Sequence, residues 1–307
     1  MQIWRSLEEI TQPPANAVLT IGNFDGLHCG HRHVIDLMRK TAAQMNGGSV
    51  ALTFDPHPSR VLAPQRAPLL LTPMPERIRL LEAAGLDALL VLPFTKELAA
   101  WPPEDFVQRV MVERLKIKEV LVGGNFRFGY RQAGNVDLLW QLGAQAGFAV
   151  QVIDPIQVRG GLVSSTRIRT LLTEGRVSLA ARLLGRSYEV VGPIVPGRGI
   201  GRKQTVPTYN LAPYPELLPK RGVYITTTNG VHSVTNIGHN PTFGETELHL
   251  ESHLLEDPGT PTTEMRVAFH FRIRDEVKFP SPETLRARIG RDIAMARRYF
   301  GTTDEHR

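Results

Sequence analysis

The sequence predicts two domains: an α/β domain on a parallel sheet, then a small closed antiparallel β-barrel with a C-terminal helix. Strand-like apolar runs alternate with helix-period stretches through residues 17–185, a spacing that produces right-handed βαβ crossovers. From Tyr188 onward short strands alternate with glycine- and proline-bearing turns, as in small barrels. A length of 307 residues gives each domain room for its own core. Composition shifts near Arg186, so domains of 1–185 and 186–307 are expected.

The first ten residues read as a short edge strand or a lead-in. The chain is then organised around residues 17–45. Ala17-Val18-Leu19-Thr20-Ile21 is strand-forming, a loop containing Gly22, Asn23, Phe24, Gly26 and Gly30 follows, and residues 31–45 have helix character. A strand that breaks at glycine and feeds a helix leaves backbone N–H groups free at the helix start, which suits a phosphate. His28 and His31 are three apart, so a helix starting near His28 carries both imidazoles over one face. There they can offer hydrogen bonds and positive charge to a phosphate in its transition state. Two other readings stay open: zinc ligands, with no Cys pair or further His near in sequence to complete the set, or surface histidines of a Rossmann-type loop.

Residues 49–54, SVALTF, form the next strand and end in Asp55-Pro56-His57-Pro58. That loop lies past a strand's carboxyl end, where open α/β sheets bind ligands, and its prolines stiffen it; alone it would be only a turn. Residues 75–85 predict a helix with Ile78, Leu80 and Leu81 at helical spacing and Gly85 as stop. Residues 87–94 predict a strand, and 103–115 an amphipathic helix with Phe106, Val110 and Leu115 inward. Val120-Leu121-Val122 then runs into Gly123-Gly124-Asn125-Phe126-Arg127-Phe128-Gly129. Aromatics, a guanidinium and glycines suit a planar ring and a phosphate; the bland alternative is a glycine-bounded turn with two core phenylalanines. After a fifth strand at 148–153, Ser164-Ser165-Thr166-Arg167-Ile168-Arg169 opens a helix whose start can be capped by hydroxyls or met by phosphate. Arg169 is placed to steady a leaving pyrophosphate, or is simply solvated.

In the second domain strands are expected at 188–195, 223–228, 231–237, 247–255 and 265–273, with Asn229-Gly230 forming a type I′ hairpin turn. A last helix starts with Ser281 as N-cap and Pro282 at the first position, with Leu285, Ile289, Ile293 and Phe300 as its apolar stripe. Three pieces could do chemistry. The loop containing Gly199 and Gly201 could cover phosphates. Thr208 and Asn210 lie on one side of an extended strand and suit a magnesium ion that keeps its waters and the substrate phosphates. Glu251 shares a polar strand face with His249 and His253, and a carboxylate near a hydroxyl can act as general base. Singly, each is as well explained as turn, strand end or solvated face.

Composition narrows the function classes. Apolar content is 42%, the longest apolar runs are far too short to span a bilayer, and the N-terminus lacks a signal-peptide layout. Cys29 is the only cysteine, so no internal disulfide can form and a cytoplasmic protein is expected. The net charge of +6 is spread along the chain without an aromatic-interleaved basic tract, so small anionic substrates are expected rather than nucleic acid or membrane. A monomer or weak homo-oligomer is expected.

GNFDGLHCGH at 22–31 resembles the HxGH signature of nucleotidylyltransferases, in the longer form of bacterial bifunctional riboflavin kinase/FAD synthetases. LTFDPHP at 52–58 stands complete, 123–129 is similar to the family's G-x-[DN]-F-x-F-G, and 163–169 matches ISSTxIR with Val163 for isoleucine. Downstream, PTxN occurs at 207–210, VTNIGHNPTF at 234–243 resembles ANIGxxPTF, Glu251 matches a catalytic glutamate, and IRDEVKF at 273–279 matches a C-terminal segment. The resemblance implies a Rossmann-like nucleotidylyltransferase domain and a flavokinase-like barrel. It further implies ATP-dependent phosphorylation of riboflavin to FMN and adenylylation of FMN to FAD. Catalysis would fall to His28, His31, Arg169 and Glu251. ATP would be held by Gly22, Asn23, Phe24, Gly30, Ser165, Thr166, Gly199 and Gly201; flavin by Pro56, Pro58, Asn125 and Phe128; Mg2+ by Thr208 and Asn210.

Departures exist. Asn125 takes the uncharged form of its motif, Gln204-Thr205-Val206 replaces Leu-Gly-Phe before PTxN, and the usual Tyr-Gly near Pro261-Thr262 is missing. An adenylyltransferase with a degenerate kinase barrel is therefore an alternative, and a non-catalytic flavin- or RNA-binding module a second. Class I aminoacyl-tRNA synthetases share a close cousin of HxGH but pair it with a lysine-rich KMSKS loop, which this chain lacks.

Overall fold

A computed structural model describes residues 1–195, 208–239, 248–259, 262–277 and 279–304. Contacts divide the chain into two compact units, Met1–Ser164 and Ser165–Arg307.

The first unit contains β1 (Gln2–Trp4), β2 (Val18–Ile21), α1 (Cys29–Gln44), β3 (Ser49–Asp55), α2 (Pro58–Leu62), α3 (Met74–Ala83), β4 (Ala88–Pro93), α4 (Lys96–Ala99), α5 (Pro103–Phe106), β5 (Glu119–Gly123), α6 (Val136–Ala146) and β6 (Ala149–Ile153). A short antiparallel pair, β7 (Gln157–Val158) and β8 (Gly161–Leu162), follows. Six strands form one parallel sheet in the order β1-β4-β3-β2-β5-β6. Five of these strands are the expected alternating ones; the sixth is the opening segment, which takes the edge-strand form of its two readings and pairs with β4. All of β2 is buried, as expected where helices cover both faces of a parallel sheet. Alternate strand residues feed two apolar cores. One includes Ile35 and Met38 of α1 with Leu80 and Leu81 of α3; the other includes Phe106, Val110, Met111 and Leu139.

The helix expected over 103–115 changes winding after Phe106. Val107–Arg114 is a π-helix, closed by a Leu115 N–H that donates to the Val110 carbonyl, five residues back. Its apolar face still points inward.

The second unit starts with α7 (Ser165–Thr173) and α8 (Val177–Leu184) and continues with β9 (Tyr188–Val195), β10 (Thr208–Leu211), β11 (Gly222–Thr228), β12 (Val231–His239), β13 (Leu248–Leu254), β14 (Glu264–Arg274) and α9 (Pro282–Asp304). The six strands close into a barrel in the order β10-β13-β12-β11-β14-β9. The change of composition near Arg186 marks where helices give way to strands, whereas the contact boundary precedes α7. The physical reason is that the helix pair is fastened to the barrel: Ser178 Oγ donates to the His270 carbonyl at 2.7 Å, and the Lys220 N–H to the Leu172 carbonyl at 2.9 Å. The Asn229-Gly230 turn is as expected, with both residues at positive φ, 51° and 84°, the type I′ requirement.

The barrel interior is partly polar, which its strand patterns did not announce. Thr226, Thr228, Ser233, Thr235 and Ser252 are all 0% exposed. Their hydroxyls bond one another at 2.5–3.0 Å across β11, β12 and β13. Outside, α9 lays Ala296 and Phe300 against Val223, Ile225, Val234 and Leu255. Leu285, expected on that stripe, is 40% exposed; the helix is anchored instead by Asp292, bonded by Arg274 from β14.

Candidate active sites

In the first unit, strand order reverses at β2, whose neighbours are β3 and β5. Ligands of open α/β sheets bind beyond the carboxyl ends of strands at such a switch point. The three loops singled out from sequence leave the carboxyl ends of β2, β3 and β5.

After β2 the chain turns through Phe24, Gly26 and Leu27, with φ of 48°, 84° and 36°, and enters α1 with His28 as N-cap. His28 Nδ1 accepts the His31 N–H at 3.3 Å. The two imidazoles stack, with centroids 3.7 Å apart and planes 14° from parallel. Phe24 is buried, meets His31 edge-on at 5.3 Å and lies close against Gly22; it supports the loop from behind. Burial, then the neighbouring His28 and Arg77, hold the His31 imidazole well below its ordinary pKa. It is thus uncharged at neutral pH and meets a phosphate as a neutral hydrogen-bond donor rather than as a cation. His31 Nδ1 is buried with no hydrogen-bond partner among the described residues. Beside Gly30, the place of a Cβ lies 4.0 Å from the Val163 carbonyl, two residues before α7 begins.

After β3, the Asp55–Pro56 peptide is cis and His57 caps α2 through the Ser59 N–H at 3.2 Å; Pro56 is exposed and Pro58 half-buried. After β5, Asn125 is exposed, while Phe128 is only 7% exposed and packs against Phe126 and Phe106. Phe128 therefore shapes that loop from the core side.

In the second unit, Ser165 and Thr166 open α7 and Arg169 lies one turn in, half-buried. On the barrel, β10 and β13 pair so that Thr208 faces His253 and Asn210 faces Glu251. Thr208 Oγ1 is 3.2 Å from His253 Nδ1, and burial holds that imidazole below its ordinary pKa. Glu251 is exposed. Strand β12 adds Asn236 directly opposite Glu251, completing a row Asn210–Glu251–Asn236. Asn236 was not among the residues selected from sequence; its place inside TNIG was the only signal. The row presents amide and carboxylate oxygens, and Thr208, two residues from Asn210 on β10, adds a hydroxyl; this hard donor set fits a magnesium ion keeping most of its waters. Gly199, Gly201 and Gln204-Thr205-Val206 lie outside the described residues.

Comparison with known proteins decides the family. Residues 10–167 match the FAD synthetase family and residues 184–300 the riboflavin kinase family. A bifunctional riboflavin kinase/FMN adenylyltransferase of Pseudomonas fluorescens is 33% identical over 303 residues, covering 97% of each chain. One of Escherichia coli (strain K12) is 33% identical over 310 residues, covering 99% of each. The chain belongs to the bifunctional riboflavin kinase/FMN adenylyltransferase family. Fold agrees along this bifunctional chain: a crystal structure from Streptococcus pneumoniae, described as a macrolide-efflux protein, superposes with a TM-score of 0.86 at 26% identity. That match covers 96% of this chain and 98% of the other. Among the described residues no helix is long and apolar enough to cross a membrane.

Proposed function

We propose that the chain performs both halves of flavin cofactor synthesis, each at its own site. In the barrel, Glu251 takes the proton of riboflavin's terminal ribityl hydroxyl, whose oxygen attacks the γ-phosphorus of ATP; ADP leaves and FMN forms. Thr208 and Asn210 would hold magnesium, which when bound would supply positive charge to the phosphates. In the first unit, an FMN phosphate oxygen attacks the α-phosphorus of a second ATP, giving FAD and pyrophosphate. No covalent enzyme intermediate is needed, because positioning and charge stabilisation suffice for such transfers. Gly22, Asn23 and Gly30 leave room for the ATP phosphates, Phe24 braces the loop, and His28 and His31 donate to the phosphates. Ser165, Thr166 and Arg169 are assigned to the departing pyrophosphate on the sequence resemblance alone. Pro56, Pro58 and Asn125 border the flavin, with Phe128 beneath.

The observation that carries this is the stacked His28–His31 pair at the first turn of α1, beyond the sheet's switch point. The test is chromatography of riboflavin, ATP and magnesium incubated with the protein: FMN and then FAD should accumulate. Neither product would end the proposal. FAD formed only from supplied FMN would favour the second reading, an adenylyltransferase with a degenerate barrel, which the sequence departures at Gln204-Thr205-Val206 and near Pro261-Thr262 recommend.

A further inference from the structure

The histidine loop contains an acidic residue that no step above uses. Asp25 is 1% exposed, and its two carboxylate oxygens accept the N–H groups of Leu71 and Thr72, each at 3.0 Å. Arg77 on α3, also 1% exposed, donates Nη2 to the Thr72 carbonyl at 3.0 Å and lies 3.6 Å from Asp25 Oδ1. One residue, Thr72, is thus gripped at both ends, its N–H by the carboxylate and its C=O by the guanidinium.

The location gives the grip its meaning. Asp25 sits between Phe24 and Leu27, both of which adopt positive φ; side chains rarely hold that conformation unless the surroundings enforce it. Thr72 ends the segment that leaves β3 at Asp55 and passes through Pro56, Pro58 and α2. The loop assigned to ATP and the segment assigned to flavin therefore share one fixed point. An ion pair this deeply buried adds little net stability over apolar residues of equal volume. Its distinctive product is geometry.

We propose that Asp25 and Arg77 are positioning residues for FAD formation, clamping residue 72 so that the histidine loop and the 56–72 segment hold ATP and FMN in register for in-line attack. The proposal rests on reading the first unit as the FMN adenylyltransferase. Arg77 also acts on the site electrically, as one of the groups that keep His31 uncharged.

The test uses the full chain with both charges removed, Asp25→Asn with Arg77→Met, so that no unpaired ion is left buried. Riboflavin phosphorylation in the barrel is the internal control. FAD formation from supplied FMN should fall about 100-fold in kcat, the loss that follows a misplacement of about 1 Å, while riboflavin phosphorylation stays at the parental rate. FMN binding, measured by flavin fluorescence with and without a non-hydrolysable ATP analogue, supplies a readout that a purely structural pair would not move. Each ligand alone should still bind, and the effect of one on the other should disappear. A folded double variant with parental FAD formation overturns the clamp. If the double variant does not fold, Asp25→Glu keeps both charges but shifts the carboxylate by a methylene: slowed FAD formation supports the proposal and the parental rate overturns it. A parent chain unable to make FAD from FMN would instead refute the underlying assignment of the site.

Discussion

Gly30→Ala separates stability from catalysis at the histidine pair. Gly30 is the second residue of α1 and has ordinary helical backbone, so alanine there favours the helix by up to about 1 kcal/mol. The added Cβ, however, falls 3.2 Å from Nδ1 and Cε1 of His28, where comfortable carbon contacts begin at about 3.5 Å. His28 must give by roughly 0.3–0.5 Å, and His31, stacked at 3.7 Å on its ring, restricts where it can go. If a misplacement of about 1 Å lowers the rate about 100-fold, this one lowers FAD formation about 4- to 10-fold. The assay follows FMN and ATP to FAD by chromatography, with riboflavin phosphorylation and the urea midpoint measured on the same protein. FAD formation should drop, phosphorylation should hold, and the midpoint should stay level or rise. FAD formation at the parental rate would show that the position of His28 does not matter to the reaction.

Separate sites predict separable losses. His31→Ala should abolish FAD formation and spare FMN formation, whereas Glu251→Gln should do the reverse when FMN is supplied; equal loss of both activities in either variant would contradict two independent sites. Arg274→Ala should destabilise the barrel by about 3 kcal/mol, because Asp292, 3% exposed, then keeps, among the described residues, only Arg288 at 3.3 Å; an unchanged urea midpoint would show that this anchor contributes nothing. Stability should also depend on pH. Burial holds the His31, His253 and His270 imidazoles below their ordinary value of 6.5. The unfolded chain therefore binds more protons than the folded one below that value. Stability is complete above about pH 6.5 and is lost as pH falls through the lowered folded values. A urea midpoint that stays flat between about pH 8 and pH 5 would contradict the burial of these rings.

Much of this fold was legible because local signals agreed with the tertiary structure. The run at 17–21, the Asn229-Gly230 turn and the alternation around Glu251 each state a backbone preference that packing then uses. What stayed hidden depends on contacts distant in sequence. Asp25 and Arg77 look like ordinary surface residues until α3 folds back, and their pairing spans a separation that no helical or strand period encodes. Asn236 gains its interest only from the register that sets it beside Glu251. The π winding of Val107–Arg114 was invisible because it keeps the same residues inward as the α-helix read from their spacing.

The hydroxyl cluster inside the barrel has a consequence for how this chain can change. Each of Thr226, Thr228, Ser233, Thr235 and Ser252 owns a single proton yet serves two or more neighbours. A lone valine at Thr226 would take one of two hydroxyl partners from Ser233 and from Thr235 in a place water does not reach, a loss of about 0.5–1.5 kcal/mol for each hydrogen bond. Replacing all five by apolar residues of matching shape would leave nothing orphaned. These positions are therefore expected to vary together, as one inherited block, even though two of them lie on a strand more than twenty residues from the last.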